Sequence, residues 1–258
     1  GGFTTAELSL VDALLPYMAR LTDIQALDFL ATTLLDTYVG KDAGHEIMVG
    51  NIQRGDTHTI RAVIWLCDLR DFTTLSDTMP GAELIALLND YFDCVGKPVR
   101  ARGGEILKFI GDAMLAIFRI ANEDELADAC KNALEAADEA QGLLGEMNEA
   151  RRKAGEHPIA FGIGLHVGDV MYGNIGAADR LDFTVIGPAV NLAARIEGLC
   201  RELGQTVILS EEFAQASGSD FESLGKHKLK GLAESRQVFA PRAAAGEAKR
   251  KTKAETRA

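Results

Sequence analysis

Two acidic residues, Asp68 and Asp112, occupy positions from which they could hold a metal ion together. Asp68 ends a nearly continuous apolar segment that begins at Ile60, and Asp112 follows Gly111 in the turn of a predicted hairpin. If the first strand lies beside that hairpin, the two carboxylates face each other about 5 Å apart and repel unless a cation separates them. A carboxylate that ends a strand is often only a cap or turn former. The pair together predicts magnesium and phosphoryl or nucleotidyl transfer with two metal ions.

The hairpin itself is the segment GGEILKFIGDAMLAIF, residues 103–118. Its alternating apolar residues predict two short strands packed on a core, namely Ile106, Phe109, Ile110, Met114, Ala116 and Phe118. Lys108 and Asp112 interrupt the apolar run. The hairpin therefore carries a cation and a carboxylate that packing alone does not require.

A second pair of polar residues, Asn191 and Arg195, lies four residues apart in a predicted helix at 188–200 that has proline in its first turn. Side chains at this spacing project from one face of a helix and can reach a common point. The pair is equally compatible with a role in helix packing. From spacing alone, both interpretations stay open.

The elements that position these residues alternate in a recognisable order. Strand 60–67, helix 82–101, the hairpin, helix 123–153 and strand 159–167 give the order strand, helix, strand, strand, helix, strand. That order predicts an α+β fold with a ferredoxin-like βαββαβ core, an antiparallel-rich sheet and helices on one face. Additional C-terminal strands are predicted at 169–174, 181–186, 207–209 and 237–239.

The segments that flank this body differ from it in character. Residues 6–39 repeat apolar side chains at helical spacing, and Pro16 is expected to kink or split the helix. Residues 40–59, with three glycines, predict a loop-rich junction. We interpret residues 1–59 as a helical linker and dimerisation segment below an upstream sensor domain. Residues 241–258 predict a disordered basic tail, with docking as the alternative.

Composition excludes several classes of function. The 258-residue chain has a formal net charge of -11, which disfavours nucleic acid as a partner. No apolar run of about 18 residues is present, so we expect no membrane span and a cytoplasmic location. The four cysteines and five histidines show no ligand spacing. Any metal must therefore bind through carboxylates.

Five motifs together resemble the catalytic domains of class III adenylyl and guanylyl cyclases over residues 60–239. In chain order they are CDLRDFTTLSD, GGEILKFIGDAMLAIF, GIGLHVGDVMYGNIG, DFTVIGPAVNLAARIEGLC and KLKG. The resemblance implies that residues 60–240 form a catalytic domain that pairs head to tail with a second copy. It also implies active sites at the dimer interface with two Mg²⁺ or Mn²⁺ ions each.

For the metal-binding loop, the resemblance implies specific roles. Asp68 and Asp112 match the two metal-binding aspartates, and Leu69 would add its backbone carbonyl. The turn at Phe72 and Thr73 would offer amides to the triphosphate. Asp71 stands where the family usually has glycine, which predicts a stiffer or differently charged loop.

For the purine, the resemblance assigns recognition to Lys108 and Thr184. An ammonium satisfies the acceptor N1 of adenine, whereas guanine presents donors that favour a carboxylate. Lys108 therefore predicts ATP as the substrate. Thr184 can accept from the adenine amino group and is similar to the bacterial, threonine-containing adenylyl cyclase subgroup, although it is also an ordinary strand residue.

For the transition state, Asn191 matches the residue that orients the ribose, and Arg195 matches the one that neutralises charge on the α-phosphate. Lys230 matches the triphosphate-binding lysine, with Lys228 as its nearest competitor. Asp169 replaces a phosphate-binding arginine of some members, so that contact must be absent or come from elsewhere.

The combined prediction is a homodimeric adenylate cyclase that converts ATP to 3',5'-cyclic AMP and pyrophosphate. A catalytically inactive nucleotide-binding regulatory domain and a guanylate cyclase are the alternatives. The segment Arg102-Gly-Gly-Glu105 resembles a diguanylate cyclase signature. That interpretation is disfavoured because the relevant carboxylate comes later, at Asp112, and the Asn191 helix has no counterpart there.

Overall fold

The computed structural model describes residues 2–232 and 234–242. It divides into two compact units, Gly1–Arg54 and Gly55–Ala258. The predicted tail, residues 241–258, lies outside the described residues except for its first two positions. In the described ranges, no helix combines the length and apolar character needed to cross a membrane.

The first unit contains two helices, α1 (Thr5–Tyr38) and α2 (Lys41–Met48). α1 begins at a capping box, in which the Thr4 hydroxyl accepts from the Glu7 amide and the Glu7 carboxylate accepts from the Thr4 amide. Pro16 lies inside α1 without ending it, so the expected split is wrong. None of the residues of α1 is buried, and most of its large apolar side chains are exposed.

The expected loop at 40–59 is also wrong in part, because α2 occupies its first half. Gly44 is the reason for the error. A Cβ at Gly44 would lie 3.1 Å from the Cβ of Leu35 in α1. This glycine therefore allows two helices to approach closely, and it does not break the chain.

The second unit is one eight-stranded sheet with helices on both faces. Its strands are β1 (Thr57–Leu69), β2 (Glu105–Ile110), β3 (Ala113–Ile120), β4 (Phe161–Gly176), β5 (Leu181–Ile186), β6 (Val207–Ser210), β7 (Glu222–Lys228) and β8 (Ser235–Ala240). Its helices are α3 (Phe72–Thr78), α4 (Gly81–Ala101), α5 (Leu126–Lys153), α6 (Pro188–Glu202) and α7 (Glu211–Ser217).

The predicted ferredoxin-like core is confirmed. The strands follow the order β2-β3-β1-β4-β6-β8-β7, and β5 pairs with β4. Every described pairing is antiparallel except β4 with β6. Alternate residues of β1 and β4 pack against α4 and α5, with Trp65, Tyr91 and Phe161 fully buried between them. Burying such aromatic side chains contributes about 2–3 kcal/mol each before entropy is counted.

The expectation that helices cover only one face of the sheet is wrong, because α6 packs on the opposite face against β4. Three glycines make room for it, and they are Gly162, Gly164 and Gly168. A Cβ at Gly164 would lie 2.5 Å from the carbonyl oxygen of Ala193 in α6. The motif GIGLHVG thus encodes a helix that rests directly on a strand.

Three local predictions need correction. Residues 169–174 continue β4 and do not form a separate strand, and α3, α7 and β7 were not predicted. In the hairpin, Phe109 and Ile110 are about half exposed, whereas Leu107 is buried. The register shifts between Ile106 and Lys108, so a strict two-residue alternation assigns the end of β2 to the wrong face.

Candidate active site

The two predicted metal-binding carboxylates meet at one end of the sheet. Asp68 on β1 pairs across the strands with Ala113, the residue after Asp112, so the two carboxyl groups lie close enough to interact. The pKa of Asp68 is raised to about 6, first by burial and then by Asp112, against a lowering by the Leu69 amide. Two acidic groups held this close favour a cation between them.

A third carboxyl group, that of Glu197 on α6, lies beside this pair. Gly162 is the cross-strand partner of Asp68 on β4, and a Cβ on that glycine would lie within 2.4 Å of a Glu197 carboxylate oxygen. Glu197 therefore fills the position that a side chain opposite Asp68 would take. Burial, followed by the charge of Asp68, raises the pKa of Glu197 to about 7, while Arg70 lowers it.

The donor set fits magnesium or manganese. Asp68, Asp112 and the Leu69 carbonyl offer hard oxygen ligands, which these ions prefer. Within the described ranges, no cluster of three or more His, Cys, Asp or Glu residues is arranged to hold a metal alone. Water and substrate phosphates would have to complete the coordination, as is usual for Mg²⁺.

The loop after β1 is held in an uncommon backbone conformation. Asp71 has φ of 60°, in the left-handed region, which explains why glycine suits this position. Its carboxylate pairs with Arg201 on α6 at 2.7 Å, although both side chains are exposed. Phe72 and Thr73 follow in the first turn of α3, the former partly buried and the latter exposed.

The predicted base-reading residues lie on β2 and β5, which the fold brings together. The ammonium group of Lys108 donates to the Asp182 carboxylate at 3.0 Å. Thr184, two residues further along β5, is 4% exposed, and its hydroxyl has no hydrogen-bond partner in the part of the chain that the structure describes. Sequence reasoning missed Asp182, although its spacing from Thr184 places both on one face of a strand.

Asn191 and Arg195 line a cavity of about 570 Å³ on the α6 side of the sheet. Among the described residues, their side chains make no hydrogen bond or ion pair. Arg195 reaches toward the KLKG motif, since a Cβ on Gly231 would lie 3.4 Å from its Nη2. Lys230 is exposed beside it, and Asp169 lines the same cavity.

Sequence reasoning missed three further polar residues that line this cavity, His166, Glu212 and Arg236. His166 Nδ1 lies 2.8 Å from the Ser210 hydroxyl and 3.6 Å from the Glu212 carboxylate. Burial lowers the pKa of His166, although Glu212 opposes this effect. Arg236 shares Glu212 at 3.7 Å.

The carboxylate pair and the Asn191 cavity face apart within one chain. Glu197 is the α6 residue beside Asp68, and Arg195 precedes it by two residues, or about 200° around the helix. The β4 residues of the cavity, 166–169, pair with 61–64 on β1. These lie four to seven residues from Asp68, roughly 13–23 Å along the strand. One chain thus presents two separate sets of polar groups.

Comparisons with known proteins match this architecture. The profile of the family described as "Adenylate and Guanylate cyclase catalytic domain" matches residues 57–240. An adenylate cyclase of Anabaena cylindrica is 41% identical over 167 residues, which cover 63% of this chain and 32% of that protein. The chain thus spans about a third of this relative's length.

Two solved structures extend the comparison to the fold. A bacterial light-regulated adenylyl cyclase superposes with a TM-score of 0.69 at 26% identity, covering 89% of this chain and 64% of that one. The guanylyl cyclase Cya2 gives a TM-score of 0.61 at 28% identity, covering 70% of this chain and 91% of that one. Because both kinds of enzyme share the architecture, the fold alone does not decide the purine.

Proposed function

The chain belongs to the adenylate and guanylate cyclase catalytic domain family, and from that premise we propose that it converts ATP to 3',5'-cyclic AMP and pyrophosphate. The ion pair between Lys108 and Asp182 is the observation that carries this proposal. It holds an ammonium donor on β2, which complements the acceptor N1 of adenine and opposes the N1 donor of guanine. The Thr184 hydroxyl, for which the described part of the chain provides no hydrogen-bond partner, supplies an acceptor for the adenine amino group.

The residues of the carboxylate pair would hold the metal ions. Asp68, Asp112 and the Leu69 carbonyl are the ligands that this chain offers, and substrate phosphates supply others. When bound, two Mg²⁺ or Mn²⁺ ions acidify the ribose 3'-hydroxyl and neutralise the triphosphate. The backbone amides at Phe72 and Thr73 would contact that triphosphate.

The α6 residues would serve the reacting atoms. Asn191 would orient the ribose so that its 3'-oxygen lies in line with the α-phosphate. Arg195 would stabilise the charge that grows on that phosphate. Lys230, exposed on the neighbouring segment, would bind the leaving pyrophosphate. Among the described residues, the Arg195 guanidinium and the Asn191 side-chain amide have no hydrogen-bond or ion-pair partner, which is consistent with groups kept ready for a ligand.

A homodimer would unite these groups. Because the carboxylate pair and the Asn191 cavity face apart in one chain, a single protomer could not bring both to one nucleotide. Two copies paired head to tail would place the Asp68 end of one against the Arg195 side of the other, and would form two sites. We further propose that residues 1–59, with the exposed apolar side chains of α1, support this pairing below an upstream sensor domain.

The test is cyclic nucleotide production by the purified chain, with ATP and GTP in parallel and with Mg²⁺ or Mn²⁺. Cyclic AMP from ATP, absent in Asp112→Asn, is the expected result. Cyclic GMP formed from GTP in excess of cyclic AMP formed from ATP would favour the guanylate cyclase alternative. A verified dimer that turns over neither nucleotide would contradict the proposal and favour the regulatory domain.

A further inference from the structure

One polar contact crosses the sheet from β2 to β4, although β3 and β1 lie between these strands. The Tyr172 hydroxyl on β4 donates to the Glu105 carboxylate on β2 at 2.8 Å. Three strand spacings amount to about 14 Å, so the two side chains must extend toward each other over the face of the sheet. Tyr172 is fully buried and Glu105 is 8% exposed.

The second carboxylate oxygen of Glu105 is also held. Arg119 on β3 donates to it from Nε at 3.2 Å and from Nη2 at 3.1 Å, which neutralises the buried charge. The same guanidinium lies 4.1 Å from the centre of the Tyr172 ring. A carboxylate, a cation and an aromatic ring thus form one connected network across three strands.

Two further rings fix the position of Tyr172. His58 on β1 meets it edge-on with 5.5 Å between ring centres, and Phe183 on β5 does so at 4.7 Å. Phe183 lies between Asp182 and Thr184 in the sequence. The network therefore reaches from the strand that carries Lys108 to the strand that carries its partner and the Thr184 hydroxyl.

These contacts lie between the strands that set the distance from Lys108 on β2 to Asp182 on β5. Lys108 follows Glu105 by three residues, across the register shift of β2, and meets Asp182 only through side chains. Without a restraint, a bulged edge strand could shift relative to β5. Glu105 is also the acidic residue of the Arg102-Gly-Gly-Glu105 segment, for which the proposed chemistry has no use.

We propose that Glu105, Arg119 and Tyr172 form a brace that positions Lys108 and Asp182 relative to Thr184, and so determines how strictly the site selects its purine. All three are positioning residues, since none is placed against the nucleotide. This inference rests on the proposed function.

The test compares Tyr172→Phe with the unaltered chain, because phenylalanine keeps the ring and removes only the hydroxyl. The KM for ATP is expected to rise about five- to tenfold, as for the loss of one buried charge-assisted hydrogen bond. The kcat should change less than about twofold. The ratio of kcat/KM for ATP to that for GTP should fall by a similar five- to tenfold.

Tyr91→Phe is the matched control. Its hydroxyl is also buried and lies 3.0 Å from Cys67 Sγ, so its loss tests a stability effect without touching the brace. The nucleotide ratio should stay unchanged in this variant. Glu105→Gln, which retains an acceptor but loses the charge, provides a second test if Tyr172→Phe fails to fold.

A double-mutant cycle distinguishes an effect of Tyr172 that acts through Lys108 from a general loss of rigidity in the site. If Tyr172 acts through Lys108, Tyr172→Phe should have no further effect on the ratio in a Lys108→Ala background. An unchanged ratio and KM in Tyr172→Phe, or an equal effect in both backgrounds, would overturn the brace. If the unaltered chain makes no cyclic nucleotide, the proposed function fails, and equilibrium binding of a fluorescent ATP analogue competed by GTP still tests the brace.

Discussion

The ammonium group of Lys108 on β2 lies 3.0 Å from the carboxylate of Asp182 on β5, two strands that do not pair with each other. The lysine side chain is 30% exposed and that of the aspartate is 65% exposed, so the pair contributes little to stability. The ion pair instead matters for orientation, because Asp182 restricts the direction in which the Lys108 ammonium group can point.

Asp182→Asn is predicted to weaken purine selection. The amide can still accept from Lys108 but no longer attracts its charge, so the ammonium should sample more positions. We expect the KM for ATP to rise about three- to tenfold and the preference over GTP to fall by a similar factor. Steady-state kinetics with both nucleotides provides the measurement.

Asp93→Asn is the control for this change. Asp93 and Lys97 on α4 form an exposed ion pair, also at 3.0 Å, outside the proposed site. It should leave both kinetic constants unchanged. Equal effects of the two substitutions would show that Asp182 has no special part in nucleotide recognition.

Asp112→Asn is predicted to abolish turnover, by more than about 100-fold, without unfolding the chain. The substitution removes one proposed metal ligand and also the charge that helps to raise the pKa of Asp68. The metal-free variant should therefore melt at the same temperature or higher, because a repulsion has been removed.

Manganese titration followed by thermal melting tests that expectation independently of activity. Mn²⁺ should stabilise the unaltered chain by mass action and the variant much less. Equal stabilisation of both proteins by Mn²⁺ would place the metal elsewhere.

The ionisation of Glu197 is predicted to lower the stability of the metal-free protein as the pH rises from about 4.5 to 7. Its pKa is about 7 in the folded chain against 4.5 for an ordinary glutamate, so the folded state binds more protons in this window. Stability falls with pH wherever the folded state holds the extra proton.

Glu197→Gln removes this dependence. The melting temperature of the variant relative to the unaltered chain should increase between pH 4.5 and pH 8 by about 2–4 °C, or ~1 kcal/mol after allowance for solvent screening. Glu202→Gln, at an exposed residue of the same helix, is the matched control for the change from glutamate to glutamine. A flat Glu197→Gln difference would contradict the raised pKa.

Sequence patterns were sufficient to predict positions that depend on the order of elements along the chain or on spacing within one element. The order of elements placed β1 beside the hairpin, and Asp68 and Asp112 follow from that neighbourhood. The four-residue spacing of Asn191 and Arg195 likewise requires only a helix.

Long-range packing decided what the sequence did not reveal. Asp182 meets Lys108 because β5 returns toward β2, which periodicity within β5 does not encode. Glu197 reaches Asp68 because Gly162 has no side chain to occupy the space opposite Asp68. From sequence, a glycine in a strand usually suggests a bulge. The prediction of a loop around Gly44 was wrong for the same reason, since this glycine marks a close contact between two helices.

The strongest test of the shared site is complementation between two inactive variants. Asp112→Asn removes a carboxylate, and Arg195→Ala removes the cation on α6 that faces away from it. If each active site takes Asp112 from one chain and Arg195 from the other, a mixed dimer contains one intact site and one doubly impaired site.

Mixing the two variants in equal amounts under exchange should make half of the dimers mixed. We therefore expect about a quarter of the unaltered activity to return, since one site in four is intact when the dimers exchange at random. Asp68→Asn mixed with Asp112→Asn is the control and should stay inactive, because both substitutions impair the same half-site. No recovery in the test pair, after exchange has been verified, would mean that each chain builds its site from its own residues. Recovery in the control would mean that Asp68 and Asp112 of one site come from different chains.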